Sequence, residues 1–209
     1  LDNGVCTRCG FTDPDYVEPV VQPTLTLKSP SLEFKDMVTV NAMFTAENTE
    51  DVVEMGMVTY DEKVAAVSVD TADHVIPGTT YDVNTGRYVA SSQGIHAKNL
   101  GDTVYMACYA KLTDGSYTYT KLAPYSPAQY AASQLKNSSN MKLKQLCAAM
   151  LNYGAEAQRF FGYNVENLAN ASLTEAQKAL PESYRGDMVN AVPAASAAKQ
   201  GVFANNKGF

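Results

Sequence analysis

Two thiols near the start of the sequence have the spacing of half a zinc site. In Cys6-Thr7-Arg8-Cys9-Gly10 the cysteines are separated by two residues, so both thiolates can bind one face of a tetrahedral ion. A structural site needs four ligands, and the only histidines, His74 and His96, lie far along the chain. The pair therefore binds zinc only with ligands from elsewhere. The alternatives are an idle thiol pair and a local disulfide.

Three tyrosines are candidates for a sugar-binding platform. Tyr117 and Tyr119 alternate along one predicted strand and share a face, and Tyr109 lies on the preceding strand. Aligned aromatic rings on the face of a β-sandwich can stack on sugars. The chain has 13 tyrosines but no tryptophan, and such a stripe also occurs as half-buried cross-strand packing. The sequence leaves both interpretations open.

The other two cysteines are each predicted to lie in a hydrophobic core. Cys108 alternates with Met106 and Ala110 on a strand, and Cys147 falls on the apolar face of a helix. Neither thiol has a histidine nearby in sequence, and reactive thiols need electropositive, partly open surroundings. Small buried residues are therefore favoured over nucleophiles. A disulfide between Cys108 and Cys147 is the alternative if that helix packs on that strand.

No motif in the sequence identifies an enzyme. The chain contains no GxSxG, phosphate-binding glycine loop, HExxH or EF-hand loop. His74 and His96 flank predicted turns and are interpreted as solvated loop residues. The acids beside turn signals are expected to bond to their own backbone, and these are Asp61, Glu62, Asp82 and Asp102. We therefore predict a non-catalytic protein without a resident cofactor, with a glycan-active enzyme fragment as a distant alternative.

Composition and charge restrict the class of partner. The 209 residues include 16 basic and 22 acidic side chains, a formal net charge of -6. This balance, without a dense Lys/Arg cluster, disfavours nucleic acid and anionic membrane surfaces. No apolar run approaches the roughly 18 residues that span a bilayer, and residues 1–20 lack the order of a signal peptide. We expect a soluble chain without membrane insertion.

Hydrophobic periodicity divides the chain into a linker, a β-rich region and a helical region. Residues 1–22 end in a stretch rich in proline and acids, which is typical of a linker. Period-two alternation over residues 23–125, with turn signals such as Asp114-Gly115, predicts seven or so short antiparallel strands. The predicted fold class is mainly β with an α appendage (α+β), an immunoglobulin- or fibronectin-like β-sandwich followed by two or three helices.

Helix signals begin at Ser126. Ser126-Pro127-Ala128-Gln129 combines an N-cap serine, a proline at the first helical position and a glutamine at the third, which predicts a helix from about 127 to 135. A longer amphipathic helix follows and ends near Gly162, and the helical hairpin 126–162 is expected to pack on the sandwich. The capping box Ser172-Leu173-Thr174-Glu175 predicts a third helix. Residues 163–209 are otherwise interpreted as an extended segment or the start of a further unit.

The second half of the long helix contains residues that suit either packing or catalysis. At 3.6 residues per turn, Gly154 and Phe161 fall on the apolar side, whereas Glu156, Gln158 and Arg159 fall mostly away from it. The small Gly154 allows a partner backbone to approach closely. Catalysis by Glu156 needs a pocket and a second group that the sequence does not show. A structural role is therefore predicted.

Two long runs resemble a known kind of module. The runs GIHAKNLGDTVYMACYAKLTDGSYTYTKLAPYSPAQYAASQL (94–135) and LKQLCAAMLNYGAEAQRFFGYNVENLAN (143–170) resemble a module of large secreted or cell-surface proteins of gut Clostridia and related Firmicutes. The resemblance covers about residues 24–170, and NGVCTRCGFTDPD (3–15) is similar to the CxxCG units that precede such modules. It implies an extracellular modular protein. The implied partners are other modules of a larger polypeptide and a polysaccharide, host glycan or host protein.

A shorter segment, NLGDTVYMACYA, is similar to the fibronectin type III pattern, in which Tyr105 would make the hydrogen bond of a tyrosine corner. The resemblances imply no catalytic residue set. We therefore predict a non-catalytic extracellular module with a spacer or adhesion role. The alternative is a carbohydrate-binding module that uses Tyr109, Tyr117 and Tyr119.

Overall fold

The computed structural model describes residues 5–16, 21–34 and 37–182. Antiparallel strands dominate these residues and three α-helices accompany them, which confirms the predicted α+β class. The strands are β1 (Thr24–Phe34), β2 (Val38–Glu47), β3 (Val52–Tyr60), β4 (His74–Pro77), β5 (Thr80–Asp82), β6 (Arg87–Ser91), β7 (Val104–Leu112), β8 (Tyr117–Tyr119) and β9 (Ala123–Tyr125). The helices are α1 (Pro127–Asn137), α2 (Met141–Phe161) and α3 (Glu175–Lys178), with a short 3-10 helix at Ala97–Asn99.

The chain divides into two compact units. The β unit consists of Leu1–Gly94 and Thr103–Tyr125, and the helical unit consists of Ile95–Asp102 and Ser126–Phe209. The sequence placed residues 95–102 inside the sandwich. They belong to the helical unit because their 3-10 helix packs against α2.

The β unit contains two antiparallel sheets. One sheet has the strand order β1-β2-β6-β5, and the other has the order β4-β3-β7-β8, with β9 also paired to β7. Strand β7 contacts β1 and β2, and β3 contacts β6, so the two sheets face each other as in a β-sandwich. Alternate residues of β2 are fully buried, as a period of two predicts, and these are Val40, Ala42 and Phe44.

The central strands β3 and β7 are buried on both faces. Adjacent positions point to opposite faces of a sheet, yet Met57 and Val58 on β3 and Ala107 and Cys108 on β7 are all fully buried. One face carries a cluster made of Val58, Tyr60, Ala107 and Tyr109. The loop 61–73 covers this cluster with half-buried or partly exposed apolar side chains, which are Val64, Val67, Val69 and Ala72.

Local signals set the ends of the two long helices. The Ser126 hydroxyl accepts a hydrogen bond from the amide of Gln129 at 3.3 Å, and α1 continues to Asn137, two residues past its predicted end. The side chain of Asn140 caps α2 by accepting from the amide of Leu143 at 3.2 Å. Helix α2 ends at Gly162, which has the left-handed φ of 62° that glycine adopts most readily.

The third helix starts two residues later than the sequence predicted. Thr174, rather than Ser172, is the N-cap residue, and it exchanges hydrogen bonds with Gln177 in a complete capping box. The preceding residues form turns, since the amide of Leu173 donates to the carbonyl of Asn170 at 3.1 Å. Residues 163–182 are therefore folded back in turns and a helix rather than extended. The predicted start of a further unit, beyond 182, lies outside the described residues.

Candidate functional site

The Cys6–Cys9 pair lies in a tight hairpin of the β unit. Val5 and Thr12 form an antiparallel bridge that closes it, and the amide of Gly10 donates to the carbonyl of Cys6 at 2.8 Å. Gly10 has a φ of 74°, which favours glycine. The turn brings the two thiols close enough to share a hydrogen bond.

Hydrogen bonds lower the pKa of the Cys6 thiol. The Cys9 side chain makes the largest contribution, and the backbone amides of Arg8 and Cys9 add to it. Cys6 is half-buried and Cys9 is exposed, so both are open to solvent. In the part of the chain that the structure describes, no three His, Cys, Asp or Glu side chains are grouped to hold a metal. The pair supplies two ligands of the four that a zinc ion needs.

Cys108 and Cys147 are free thiols, each fully buried in its own unit. The disulfide that the sequence allowed is therefore not formed, because each thiol fills a core position as a small apolar side chain. Burial raises the pKa of Cys108 to about 12 and that of Cys147 to about 11. Neither side chain is a nucleophile near neutral pH.

We expect two of the four thiols to react quickly with an alkylating reagent and the other two to react slowly. Cys6 and Cys9 should react within minutes with an excess of iodoacetamide near neutral pH, whereas Cys108 and Cys147 should react only after unfolding, because the thiolate is the nucleophile. Mass spectrometry of tryptic peptides from quenched samples assigns each site. Labelling of Cys108 in the native protein at the rate of Cys9 would contradict the buried placement.

The same thiols predict a loss of stability at alkaline pH. The unfolded chain ionises them near the ordinary pKa of 9.0, while the folded protein keeps them neutral up to about 12 for Cys108. Their contribution is therefore present below pH 9 and is lost as the pH rises above it. Urea unfolding of Cys108→Ala should show a smaller loss between neutral and alkaline pH than the parent chain.

The structure brings the three tyrosines of the predicted sugar platform together, with the ring centroids of Tyr109 and Tyr117 5.8 Å apart, but it buries one of them. Tyr109 is fully buried, and its hydroxyl donates to Glu54 Oε1 at 2.6 Å, so neither face of its ring is open to a sugar. Burial, followed by the bond to Glu54, raises the pKa of Tyr109. Strand alternation placed its ring at the surface, but the loop 61–73 covers that face.

Tyr117 and Tyr119 are half-buried at the edge of the same cluster. Their rings stack with centroids 6.2 Å apart and an angle of 13° between the planes. The Tyr119 hydroxyl accepts a hydrogen bond from the amide of Val69 at 3.0 Å. The Lys111 ammonium lies 5.7 Å from the centroid of the Tyr117 ring. Tyr119 therefore anchors the loop 61–73 by a hydrogen bond, and the ring of Tyr117 stacks on that of Tyr119.

Tyr60 is the tyrosine that fastens this loop most firmly. Its ring is buried, and its hydroxyl donates to the carbonyl of Ser68 at 2.7 Å and accepts from the amide of Ser68 at 2.8 Å. The sequence pattern had assigned the role of a tyrosine corner to Tyr105, which packs against the same cluster. In the sequence, the only indication of the contact between Tyr60 and Ser68 is a tyrosine at the end of a strand followed by valines in a polar loop.

Replacing Tyr60 by phenylalanine should lower the free energy of unfolding by about 1–3 kcal/mol, because both backbone groups of Ser68 lose their partner. Urea denaturation followed by circular dichroism measures the change. Tyr81→Phe is the matched control, since Tyr81 is 55% exposed. Equal effects of the two substitutions would contradict the role assigned to Tyr60.

The side chain of Gln158 binds the segment that follows α2, and the helical periodicity predicted it on the wrong side of that helix. It was expected to fall mostly away from the apolar face, but it is fully buried. Its Nε2 donates to the carbonyl of Asn167 at 3.2 Å, and its Oε1 accepts from the amide of Ala169 at 2.7 Å. Asn170 Nδ2 also donates a hydrogen bond to Asn152 Oδ1 at 3.0 Å. These bonds hold the chain that leaves α2 against the helix.

Gly154 provides the close approach that its size predicts. A Cβ at this position would lie 3.1 Å from Cβ of Ala169, 3.2 Å from the carbonyl oxygen of Ala97 and 3.2 Å from Cβ of Leu100. The 3-10 helix and the segment after α2 therefore meet over this glycine. Glu156 is exposed and pairs with Arg159 on the same helix. The second half of α2 thus has a packing role.

The carboxylate of Asp82 bonds to its own turn, as predicted. Asp82 accepts from the Thr85 hydroxyl at 2.8 Å and from the amide of Asn84 at 2.9 Å, and these bonds lower its pKa. Asp102 accepts instead from Tyr163 and Asn99, at 2.9 and 2.8 Å. His74 and His96 are exposed, as solvated residues should be, but the prediction that both lie in loops is wrong for His74, which begins strand β4 and pairs with Thr59.

An aromatic group is exposed at the end of α2. Phe160 and Phe161 are 83% and 65% exposed, and their rings meet edge to face with centroids 5.0 Å apart. The Lys98 ammonium lies 5.1 Å from the centroid of the Tyr163 ring and 5.9 Å from that of Phe161. Phe161 was expected on the buried side. It is exposed because the chain turns away at Gly162 instead of continuing the helix.

Comparisons of the chain with protein family models, curated proteins and solved structures found no match. Within the described ranges, no helix has both the length and the apolar character needed to cross a membrane.

Proposed function

We propose that the chain is a non-catalytic extracellular module of a bacterial surface or secreted protein, with a spacer or adhesion role. The observation that carries this proposal is the way in which its buried and half-buried polar side chains bind the backbone. Tyr60, Tyr119 and Gln158 each bind backbone groups of a connecting segment. Polar groups committed to such contacts stiffen a fold instead of presenting reactive atoms.

Connecting segments that are anchored by hydrogen bonds suit a module that must keep its shape between neighbouring modules. The loop 61–73 is held at two successive residues, Ser68 and Val69, and the segment after α2 is held at Asn167 and Ala169. Loops with such contacts open rarely and resist proteolysis. The resemblance to modules of large secreted and cell-surface proteins supplies the extracellular setting.

Antibodies raised against the chain test this setting. They should label intact cells of the source bacterium, or detect the protein in its culture medium. A cytoplasmic protein labelled in parallel controls for lysis. Labelling that requires permeabilised cells, with none in the medium, would contradict the extracellular proposal.

Carbohydrate binding is the alternative, and the nearly parallel rings of Tyr117 and Tyr119 favour it. Affinity gel electrophoresis against plant polysaccharides, starch and mucin tests it directly. Retardation by one polymer that Tyr117→Ala/Tyr119→Ala loses, and that Tyr81→Ala keeps, would establish a glycan-binding module. Tyr117→Ala alone should be included, because Tyr119 also holds Val69. If no polymer retards the chain, the spacer or adhesion role is favoured.

The hairpin at Cys6 and Cys9 favours zinc as a structural ion when two further ligands come from another chain or module. The lowered pKa of Cys6 assists, because metal binding requires the thiolate. Zinc content of the full-length protein that contains this chain, measured by mass spectrometry with and without Cys9→Ser, tests the pair. Retained zinc that Cys9→Ser loses supports the proposal. A metal-free chain with reduced thiols, or one in which both thiols are oxidised together, would support the idle pair or the local disulfide.

A further inference from the structure

The outer face of α2 carries a repeat that the fold does not use. Positions separated alternately by four and three residues form one stripe on a helix, as in a coiled coil. On α2 this stripe, called here the outer stripe, consists of Lys142, Leu146, Ala149, Tyr153, Glu156 and Phe160. The buried residues of the helix, which include Cys147, Leu151 and Gln158, lie on the other side. Five of the six residues of the outer stripe are exposed, and Ala149 is half-buried.

Three large side chains of the outer stripe are well exposed. Leu146 is 44% exposed, Tyr153 is 67% exposed and Phe160 is 83% exposed, at intervals of seven residues. Exposed apolar residues that occur singly need no explanation, but an aligned row of them marks a surface that another molecule covers. The burial pattern of the structure identifies this face.

We propose that the outer stripe binds the outer stripe of a second copy of this chain, with the two α2 helices antiparallel. A two-fold axis level with Leu151 places Ala149 of one copy opposite Tyr153 of the other. A small side chain then faces a large one twice, which leaves room for each Tyr153 ring between the two helices. The same symmetry places Lys142 opposite Phe160, where an ammonium can lie against the ring.

Charge also favours the antiparallel pair. Lys142 and Glu156 are both exposed and lie towards opposite ends of α2. In the antiparallel arrangement each Lys142 lies about one helical turn from Glu156 of the other copy. Glu156 pairs with Arg159 in the single chain, but this bond is exposed and contributes little. A parallel pair would instead set Lys142 against Lys142 and Ala149 against Ala149, which leaves like charges and a gap.

This interface goes beyond the proposed function, and its test does not depend on where the chain resides in a cell. One face of a 21-residue helix is a small interface, so the dimer should be weak in dilute solution. Copies attached to one surface would meet at a much higher effective concentration.

Sedimentation equilibrium of the full chain over a wide concentration range tests the proposal. We expect a reversible monomer–dimer equilibrium. Tyr153→Glu should abolish it, and Lys142→Glu and Glu156→Lys should each weaken it about tenfold. The double exchange Lys142→Glu/Glu156→Lys should restore most of the affinity, because each charge again lies about one helical turn from an opposite charge of the other copy. Lys136→Glu, on α1, is the control and should change nothing.

The pattern of the charge variants separates the possible occupants of the outer stripe. A dimer that the double exchange fails to restore would overturn the antiparallel arrangement, since in a parallel pair each position faces itself. A chain that stays monomeric at all concentrations would overturn self-association and would indicate that residues 183–209 or another protein covers the stripe. Circular dichroism confirms that each variant is folded, as expected for substitutions at exposed positions.

Discussion

Replacing Gly56 by alanine should lower the free energy of unfolding by about 3 kcal/mol, the upper end of the effect of overpacking. Gly56 lies in β3 beneath the ring of Tyr109. A Cβ at this position would collide with the carbonyl oxygen of Ile76 and would lie 2.8 Å from two ring atoms of Tyr109. The Ile76 carbonyl belongs to the neighbouring strand β4, so it moves only if the pairing of Gly56 with Pro77 is disturbed. Glycine in a strand often marks such a close backbone approach.

Urea denaturation of Gly56→Ala and Gly94→Ala separates this effect from the general cost of removing a glycine. A Cβ on Gly94 would also meet a neighbour, but its nearest atom is Sδ of Met37, on a flexible side chain that is 60% exposed. That sulfur can move aside, so Gly94→Ala should have a much smaller effect. Similar losses for the two variants would show that the backbone at Ile76 accommodates a methyl group.

The second large effect is expected at Gln158. Gln158→Leu keeps a side chain of similar size but leaves the amide of Ala169 and the carbonyl of Asn167 without their partner. Each buried group left in this way costs about 1–3 kcal/mol, so we expect a total loss of about 3 kcal/mol. The control is Gln129→Leu, at an exposed position of α1. A neutral or stabilising result for Gln158→Leu would show that packing at this position matters more than the hydrogen bonds.

Gln158→Glu adds a test that depends on pH. A carboxylate can accept from the amide of Ala169 but cannot donate to the carbonyl of Asn167, whereas a protonated carboxyl can do both. Burial should therefore raise the pKa of this glutamate above its ordinary value of about 4.3. The variant should be closest to the parent chain in stability below about pH 4 and should lose stability as the pH rises. A difference from the parent chain that does not change with pH would contradict the burial of this side chain.

Short-range chemistry determined much of the fold. The alternation of Val40, Ala42 and Phe44 predicted a strand with one buried face, and the cap at Ser126 and the glycine at 162 predicted helix ends that the structure confirms. These features depend on residues a few positions apart, which is the distance over which sequence patterns act. The proposed setting and role also came from the sequence and remain predictions.

Only the tertiary structure decided which of two similar faces is covered. Tyr109 and Tyr117 looked equivalent in the sequence, yet the loop 61–73 buries the first and leaves the second half-exposed. Gln158 looked polar and outward, and Phe161 apolar and inward, and the structure reverses both. Periodicity shows that a strand or helix has two faces, but burial depends on segments distant in sequence that fold over one of them. Among the described residues no such segment folds over Leu146, Tyr153 and Phe160 of the outer stripe, which are therefore exposed.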